Sequence, residues 1–351
     1  MIWYVSRNYK NKTSAGNKAK TDVELIMQDM GFRNAGFPQT TYKNAVLHFV
    51  MTLLDVLRTP LSLHRGDILF IQYPLKKYFS LLCNMAHLRG AKVAILIHDL
   101  GSFRRKALTI PKEMARLSHA NYIIAHNERM KRWIESNGCN KPVGTLQIFD
   151  YLSSTSHQAS YRPAADGLYR IVYAGSLNRR KNTFLYSAGQ YASNYRYILY
   201  GNGFEPEQAA NAHRFECKGF TPSDRLIATA EGDFGLVWDG NSTTECAGAW
   251  GEYLKYNNPH KTSLYIRCGL PVVVWSQSAM APFVEKERIG LVISSLQQLS
   301  TALQQLTPAE YRDMRLNVEK LGRRLSTGYY FKQAATKAIE WLQHNKEDVK
   351  P

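Results

Sequence analysis

No uninterrupted apolar run in this 351-residue chain comes near the ~20 residues that a bilayer-spanning helix needs. The opening Met1-Ile2-Trp3-Tyr4-Val5 passes straight into polar sequence, without the apolar core of a secretory leader. These absences predict a cytoplasmic protein, at most peripheral at the inner face of the plasma membrane. Cysteine is sparse too: Cys83, Cys139, Cys217, Cys246 and Cys268 are scattered, odd in number and form no CxxC pair. That argues against a disulfide framework and against a zinc site. There is no DxD triplet and no His/Asp cluster at ligand spacing, so neither a metal nor another cofactor is expected. Internal repeats and long low-complexity tracts are missing, as are RNP, KH and helix-turn-helix signatures. Charge alone would then have to argue for a nucleic-acid partner, and none is expected.

What is present is apolar substance and positive charge. Hydrophobic residues make up 44% of the chain and aromatic ones 12%, enough for substantial cores, and the length exceeds the usual single core, so two domains are expected. The net charge of +17 is uneven: residues 1–165 hold 23 Lys+Arg against 10 Asp+Glu, while the remainder holds 22 against 18. The N-terminal half therefore faces something acidic: a nucleic acid, an anionic membrane surface or a phosphorylated substrate. A merely soluble basic surface is the plainer alternative.

Short apolar runs at 2–5, 68–71, 93–97 and 122–125 are bounded by turn signals and have the look of buried parallel strands. Helical stretches at 20–30, 42–57 and 78–89 separate them, and this alternation specifies a doubly wound α/β domain. A polar stretch of small residues from Ser153 to Ser160 reads as a linker. Strand-like runs then resume at 171–174, 197–200, 234–237 and 272–275. The final segment, 330–344, spaces Phe331, Ala334, Ala335, Ala338, Ile339 and Leu342 along one helical face. The expected division is a first domain over 1–152, a linker over 153–168, a second domain over 169–328, and a closing helix and tail over 329–351.

The motif Asn257-Asn258-Pro259-His260-Lys261 precedes a short helical run, Gly269-Leu270-Pro271 and the strand Val272-Val273-Val274. Asn258 suits a helix cap and Pro259 its first position. Lys261 then falls in the first turn, where free backbone amides favour anions, which makes this a candidate phosphate site. Ile171 to Ala174 runs into Gly175-Ser176-Leu177, followed by Asn178-Arg179-Arg180-Lys181. A glycine turn with cations directly beyond it suits a diphosphate, with Arg179 foremost and Lys181 behind it. Tyr200-Gly201-Asn202-Gly203 places bare backbone at a sheet edge where ligands of open α/β sheets bind, although GxG is as often a simple turn. Trp238 and Asp239 end the next strand and could line the same pocket, or be a core tryptophan and a turn. Lys255 and Tyr256 lead into the phosphate motif and could wall it, or be solvated. In the first half, His98-Asp99 terminates the strongest strand. Asp99, with His98 next, is placed to take a proton from a hydroxyl. Asp150 falls where the chain passes between domains, to set their closure or to cap a turn.

The 257–274 block resembles the donor-binding signature of two-domain sugar-nucleotide glycosyltransferases of the GT-B fold. The glycine turn at Gly175 with Arg179 resembles the same family's pyrophosphate element. Together with the His98-Asp99 strand end, the wording is similar to the branch of bacterial β-1,6-galactofuranosyltransferases and streptococcal adhesin glucosyltransferases. The resemblance implies two Rossmann-like doubly wound domains facing a cleft, with a C-terminal helix crossing back to the first. It implies a metal-independent, inverting hexosyl transfer, from UDP-galactofuranose in first place and UDP-glucose in second, to a lipid-linked or protein-linked surface glycan. It also implies a small-residue loop around Gly16 that reaches the donor or acceptor, and a nucleotide base beside Gly201. One departure is visible: Leu264 stands where many retaining members carry a glutamate. A non-catalytic nucleotide-sugar-binding subunit therefore stays open, as does a homo-oligomer.

Overall fold

The structure, a computed structural model, describes residues 1–9, 15–75, 78–103, 108–157 and 166–345. It falls into two compact units, Met1–Asp150 with Gly328–Pro351, and Tyr151–Thr327. Each is built on one six-stranded sheet in which every strand pairing is parallel.

The first sheet holds β1 (Ile2–Tyr4), β2 (Arg33–Asn34), β3 (Ile68–Tyr73), β4 (Lys92–Ile97), β5 (Tyr122–Ala125) and β6 (Val143–Thr145), in the order β2-β1-β3-β4-β5-β6. The second holds β7 (Tyr169–Ala174), β8 (Tyr195–Tyr200), β9 (Phe215–Gly219), β10 (Phe234–Val237), β11 (Val272–Trp275) and β12 (Gly290–Ile293), in the order β12-β11-β10-β7-β8-β9. Strands such as β3 (ILFIQY), buried at all six positions, are apolar on both faces because helices cover both sides of a parallel sheet. The order of the second sheet is the Rossmann order, reversing direction between β7 and β10.

The helices sit close to their expected places, at Ala15–Asp29, Ala45–Ser62 and Phe79–Leu88. Asn44 caps the second by accepting hydrogen bonds from the amides of Val46 and Leu47. Contrary to the expectation of none, Ala45–Ser62 is long and apolar enough by length and composition to cross a membrane. It is nonetheless packed into its unit along one side, where Asp55, Val56, Thr59 and Pro60 are buried. The segment expected as an unpacked linker is anchored over its described part: Arg267 donates to the carbonyls of Ser153 (3.1 Å) and Thr155 (2.8 Å). The His157 imidazole lies 3.1 Å from the Ile227 carbonyl. Residues 158–165 lie outside the described residues.

The C-terminal helix Tyr329–His344 belongs to the first unit, against β5, β6 and the Ala15–Asp29 helix. Trp341 meets Tyr122 and Phe331 meets Phe70, with ring centroids 5.7 and 6.5 Å apart. Its first turn is held by Asp150, which accepts from the amides of Tyr330 (3.1 Å) and Phe331 (2.7 Å). The cap position is Gly328 at φ +74°, where a Cβ would lie 2.7 Å from Ile26.

Burial pushes the Asp150 carboxyl up from the ordinary 3.8 to about 7, against the lowering effect of the two amides. Between those values the folded chain keeps a proton that the unfolded chain has released. Stability from this group is therefore full below about pH 4 and is lost as pH rises through about 7. A shift of this size corresponds to roughly 4 kcal/mol. The melting temperature of the wild type, measured against Asp150→Asn, is expected to decline between pH 5 and 8. Parallel curves across that range would show a carboxylate ionised throughout.

Candidate functional site

The candidate site of the second unit lies at the carboxyl ends of β7, β8 and β10, at the point where the strand order reverses. The turns after β7 and β8 are in close contact. The Gly175 amide donates to the Tyr200 carbonyl (2.9 Å), and a Cβ on Gly201 would stand 1.9 Å from the Gly175 carbonyl oxygen. Both glycines have positive φ, +135° and +152°, so a side chain at 201 would strain its own backbone and push the neighbouring turn away.

Beside them, the Lys261 ammonium donates to Asp239 Oδ1 and to the Tyr173 hydroxyl, both at 2.9 Å, and stands 4.2 Å from the centre of the Tyr173 ring. The Tyr173 hydroxyl in turn donates to Asp239 Oδ1 at 2.9 Å. Lys181 completes the cluster, its Nζ 3.8 Å from Asp239 Oδ2 and 5.3 Å over the Trp250 ring. Burial by itself would raise the Asp239 carboxyl, but the two ammonium groups and the Lys261 hydrogen bond outweigh it and hold the carboxyl below its usual range. Burial lowers Lys261, and Asp239 opposes that. The result is a desolvated carboxylate with two cations about it, in which Lys261 has only 13% of its side chain exposed. Such a cluster, with a bare turn beside it, is suited to an anion that can take over the cations.

Several expected residues take other places. The helix after the Asn257-Asn258-Pro259 motif runs His260–Arg267 with Pro259 itself in the cap position, and Asn258 lies buried one residue earlier. Lys261 is in the first turn, but its ammonium is engaged by Asp239. Arg179 is not brought to Lys261: it is exposed, donates to Gln208 Oε1, and lies 4.9 Å over the Tyr186 ring. The Asn182 side chain donates to the Ser176 carbonyl and its Oδ1 lies 2.8 Å from the Tyr173 hydroxyl, while Asn178 receives the Arg180 amide. The turn pinned in this way carries Lys181 to Asp239 and leaves Ser176 and Arg179 exposed.

Lys255 pairs with Glu252 (2.7 Å) and lies 5.4 Å over Trp275, with Tyr256 half-buried next to it. Trp238 is a core residue, fully buried with its indole N–H on the Ser242 carbonyl (2.9 Å), and does not line a pocket. Tyr200 is buried too, its hydroxyl accepting from the Glu231 amide. Tyr173 and Tyr265 escaped the sequence reading. Their signal was a tyrosine within the buried IVYA half of β7 and another on a buried helix face, where the Tyr265 hydroxyl receives the last amide of β7.

In the first unit, His98 and Asp99 follow β4 directly and are half-buried. The His98 ring stacks on Phe149 (5.4 Å) and its Nε2 lies 2.6 Å from Gln72 Oε1. Arg7 donates to the carbonyls of Gln72 and Pro74. The turn beyond Asp99 hangs on Glu113, a fully buried carboxylate that accepts from the amides of Gly101 (2.7 Å) and Ser102 (2.8 Å) and from the Tyr73 hydroxyl (2.9 Å). Nothing near Glu113 in sequence announced that role. Gly16 sits in the first turn of the Ala15–Asp29 helix, not in a loop, and a Cβ there would meet nothing within 4 Å, so no close approach explains it. Residues 12–14 of the expected loop lie outside the described residues.

With this geometry in hand, two family models account for nearly all of the chain. The N-terminal domain of glucosyltransferase 3-like proteins matches residues 2–148, and the C-terminal domain of the same proteins matches residues 171–338. Among curated proteins, the beta-1,6-galactofuranosyltransferase WbbI of Escherichia coli is 28% identical over 95% of this chain and 97% of its own length. Glucosyltransferase 3 of Streptococcus gordonii is 24% identical over 92% and 93%. Among solved structures, HepE from Anabaena, in complex with UDP, superposes with a TM-score of 0.59 at 13% identity, covering 98% of this chain and 99% of that one. The sucrose-phosphate synthase of Thermosynechococcus elongatus gives 0.58 at 14%, covering 98% of both. The chain therefore belongs to the glucosyltransferase 3-like family of GT-B glycosyltransferases.

Proposed function

We propose that the protein transfers a hexose from a UDP-sugar, with UDP-galactofuranose as donor, to a hydroxyl of a bacterial surface glycan carried on lipid or protein. The observation that carries the reading is the pair of partly buried lysines, Lys261 and Lys181, set about the buried Asp239 beside the glycine turns at the β7–β10 switch point. The UDP-bound neighbours and the galactofuranosyltransferase relative support the donor class. In this reading the acceptor oxygen bonds to the anomeric carbon, inverting it, as the bond to the β-phosphate oxygen breaks, and Asp99 takes the hydroxyl proton. Lys261, Lys181 and the first-turn amides of the His260–Arg267 helix meet the charge that grows on the departing UDP. Among the described residues, no group of three or more His, Cys, Asp or Glu side chains is placed to hold a metal ion, and the reading assigns the diphosphate to the cations instead.

Thermal unfolding in the presence of UDP, GDP, ADP and UDP-sugars tests the donor. UDP at about 100 times its dissociation constant adds roughly 2.7 kcal/mol to the native state, which is expected to raise the melting temperature by about 5–10 °C. A response to GDP alone overturns the donor. UDP binding without turnover of any UDP-sugar marks instead a nucleotide-sugar-binding subunit, the alternative that the missing carboxylate at Leu264 favours.

A further inference from the structure

We propose that the Ala45–Ser62 helix is an interfacial anchor that lays its outer face into an anionic lipid bilayer surface. Val46, Val50, Leu54, Leu57 and Leu61 recur at spacings of four, four, three and four, and all five are exposed, Val46 at 69% and Leu61 at 76%. At 1.5 Å per residue that row is about 22 Å long. The residues between them on the other side, Val56 and Thr59, are at 1% and 0% exposure, so the helix has an inner face committed to the first unit and an outer face that no described residue covers. The adjoining helix Phe79–Leu88, tied to it by a Phe49–Tyr78 ring contact at 6.1 Å, adds exposed Leu81 and Leu88. Patches of this kind on a folded protein mark interaction surfaces.

Charge identifies the occupant. Lys43 at the head of the helix, Arg58 on it and Arg65 just beyond it are all exposed. Between residues 30 and 66 the one acidic residue is Asp55, which is buried and accepts from the Phe37 amide at 2.6 Å. An apolar row flanked by cations and free of exposed acids is complementary to acyl chains beneath phosphate headgroups. A second copy of this chain would bring the same cations against each other. A spanning orientation is ruled out by the buried inner face. Such an anchor would hold the enzyme beside any glycan carried on lipid, and its existence does not depend on which donor the second unit takes.

The test is vesicle flotation of the full chain, with the UDP-induced thermal shift as a check on folding. Binding is expected to vesicles of phosphatidylcholine with about 30% phosphatidylglycerol, at least tenfold tighter than to phosphatidylcholine alone, and to weaken as salt is raised. The triple variant Val50→Ser/Leu54→Ser/Leu61→Ser is expected to lose at least tenfold in binding to the anionic vesicles, and Lys43→Glu/Arg65→Glu to lose a comparable factor. Because all five positions are at the surface, the thermal shift should survive in both variants. Undiminished flotation of the triple variant, or no binding to anionic vesicles at low salt, overturns the proposal. So does a wild-type dimer in light scattering that the triple variant dissolves while neither chain floats, which would make the face a contact between copies.

Discussion

Replacing Lys261 by methionine is expected to lower kcat/KM for a UDP-sugar by about 10²- to 10³-fold, the usual loss when one preorganised charge partner of a transition state is removed. The side chain keeps its length and its packing on the Tyr173 ring, so the loss reports the ammonium. The substitution also strands Asp239, whose buried carboxylate would retain Lys181 at 3.8 Å as its charged neighbour. Breaking a buried pair from one side costs about 3–5 kcal/mol, and the second lysine should hold this case near the lower figure. The two effects separate in the double variant Lys261→Met/Asp239→Asn. Its melting temperature is expected to recover most of the deficit while turnover stays as low as in the single variant. Calorimetric titration with UDP should show weakened binding in both. If the single variant turns over at the wild-type rate, Lys261 is a counter-ion for Asp239 and nothing more.

Asp99→Asn carries the second large effect, a fall in kcat of about 10²- to 10⁴-fold, with UDP affinity and the UDP-induced thermal shift unchanged. That split separates a proton acceptor from a residue that merely supports the turn. The contrasting variant is Glu113→Gln. Glu113 uses both carboxylate oxygens on the Gly101 and Ser102 amides, and an amide can accept with only one of its two ends, so this change should lower the melting temperature together with kcat. Undiminished turnover in Asp99→Asn would move the base to another group, with His98, held by Gln72 and Phe149, the first to examine.

How far the sequence revealed this molecule depended on whether the signal was local. The central strands were plain because each is an apolar run in itself: β4, β5, β10 and β11 sit at or within a residue of their expected places. The sheet margins were not. Arg33–Asn34 is two residues long, Phe215–Gly219 reads FECKG, and Gly290–Ile293 opens on glycine. Edge strands are short and polar so as to discourage further pairing, which erases the pattern that would identify them. The helix that carries Lys261 was legible for the same local reason, since a proline before it, a lysine in its first turn and a glycine stop lie within one short stretch.

The partners of Lys261 were not legible, because Tyr173, Lys181 and Asp239 arrive from the end of one strand, the turn beyond it and the end of another. Arg179 outranked Lys181 in the sequence because guanidinium is the better diphosphate ligand in general. The Asn178 and Asn182 side-chain bonds that turn Lys181 toward Asp239 have no signature in sequence. Trp238 was ambiguous for a related reason: only the Ser242 carbonyl, four residues on, shows where its polar edge is satisfied.

The first unit draws its last helix from beyond the entire second one, which has a consequence for synthesis. A nascent chain cannot complete the N-terminal sheet layer when residue 150 leaves the ribosome. Its β5–β6 margin stays bare, and Asp150 lacks the two amides it is built to receive, until the stretch after Gly328 emerges. The later-made Tyr151–Thr327 unit, contiguous in sequence, is free to mature first, so the order of assembly runs against the order of translation.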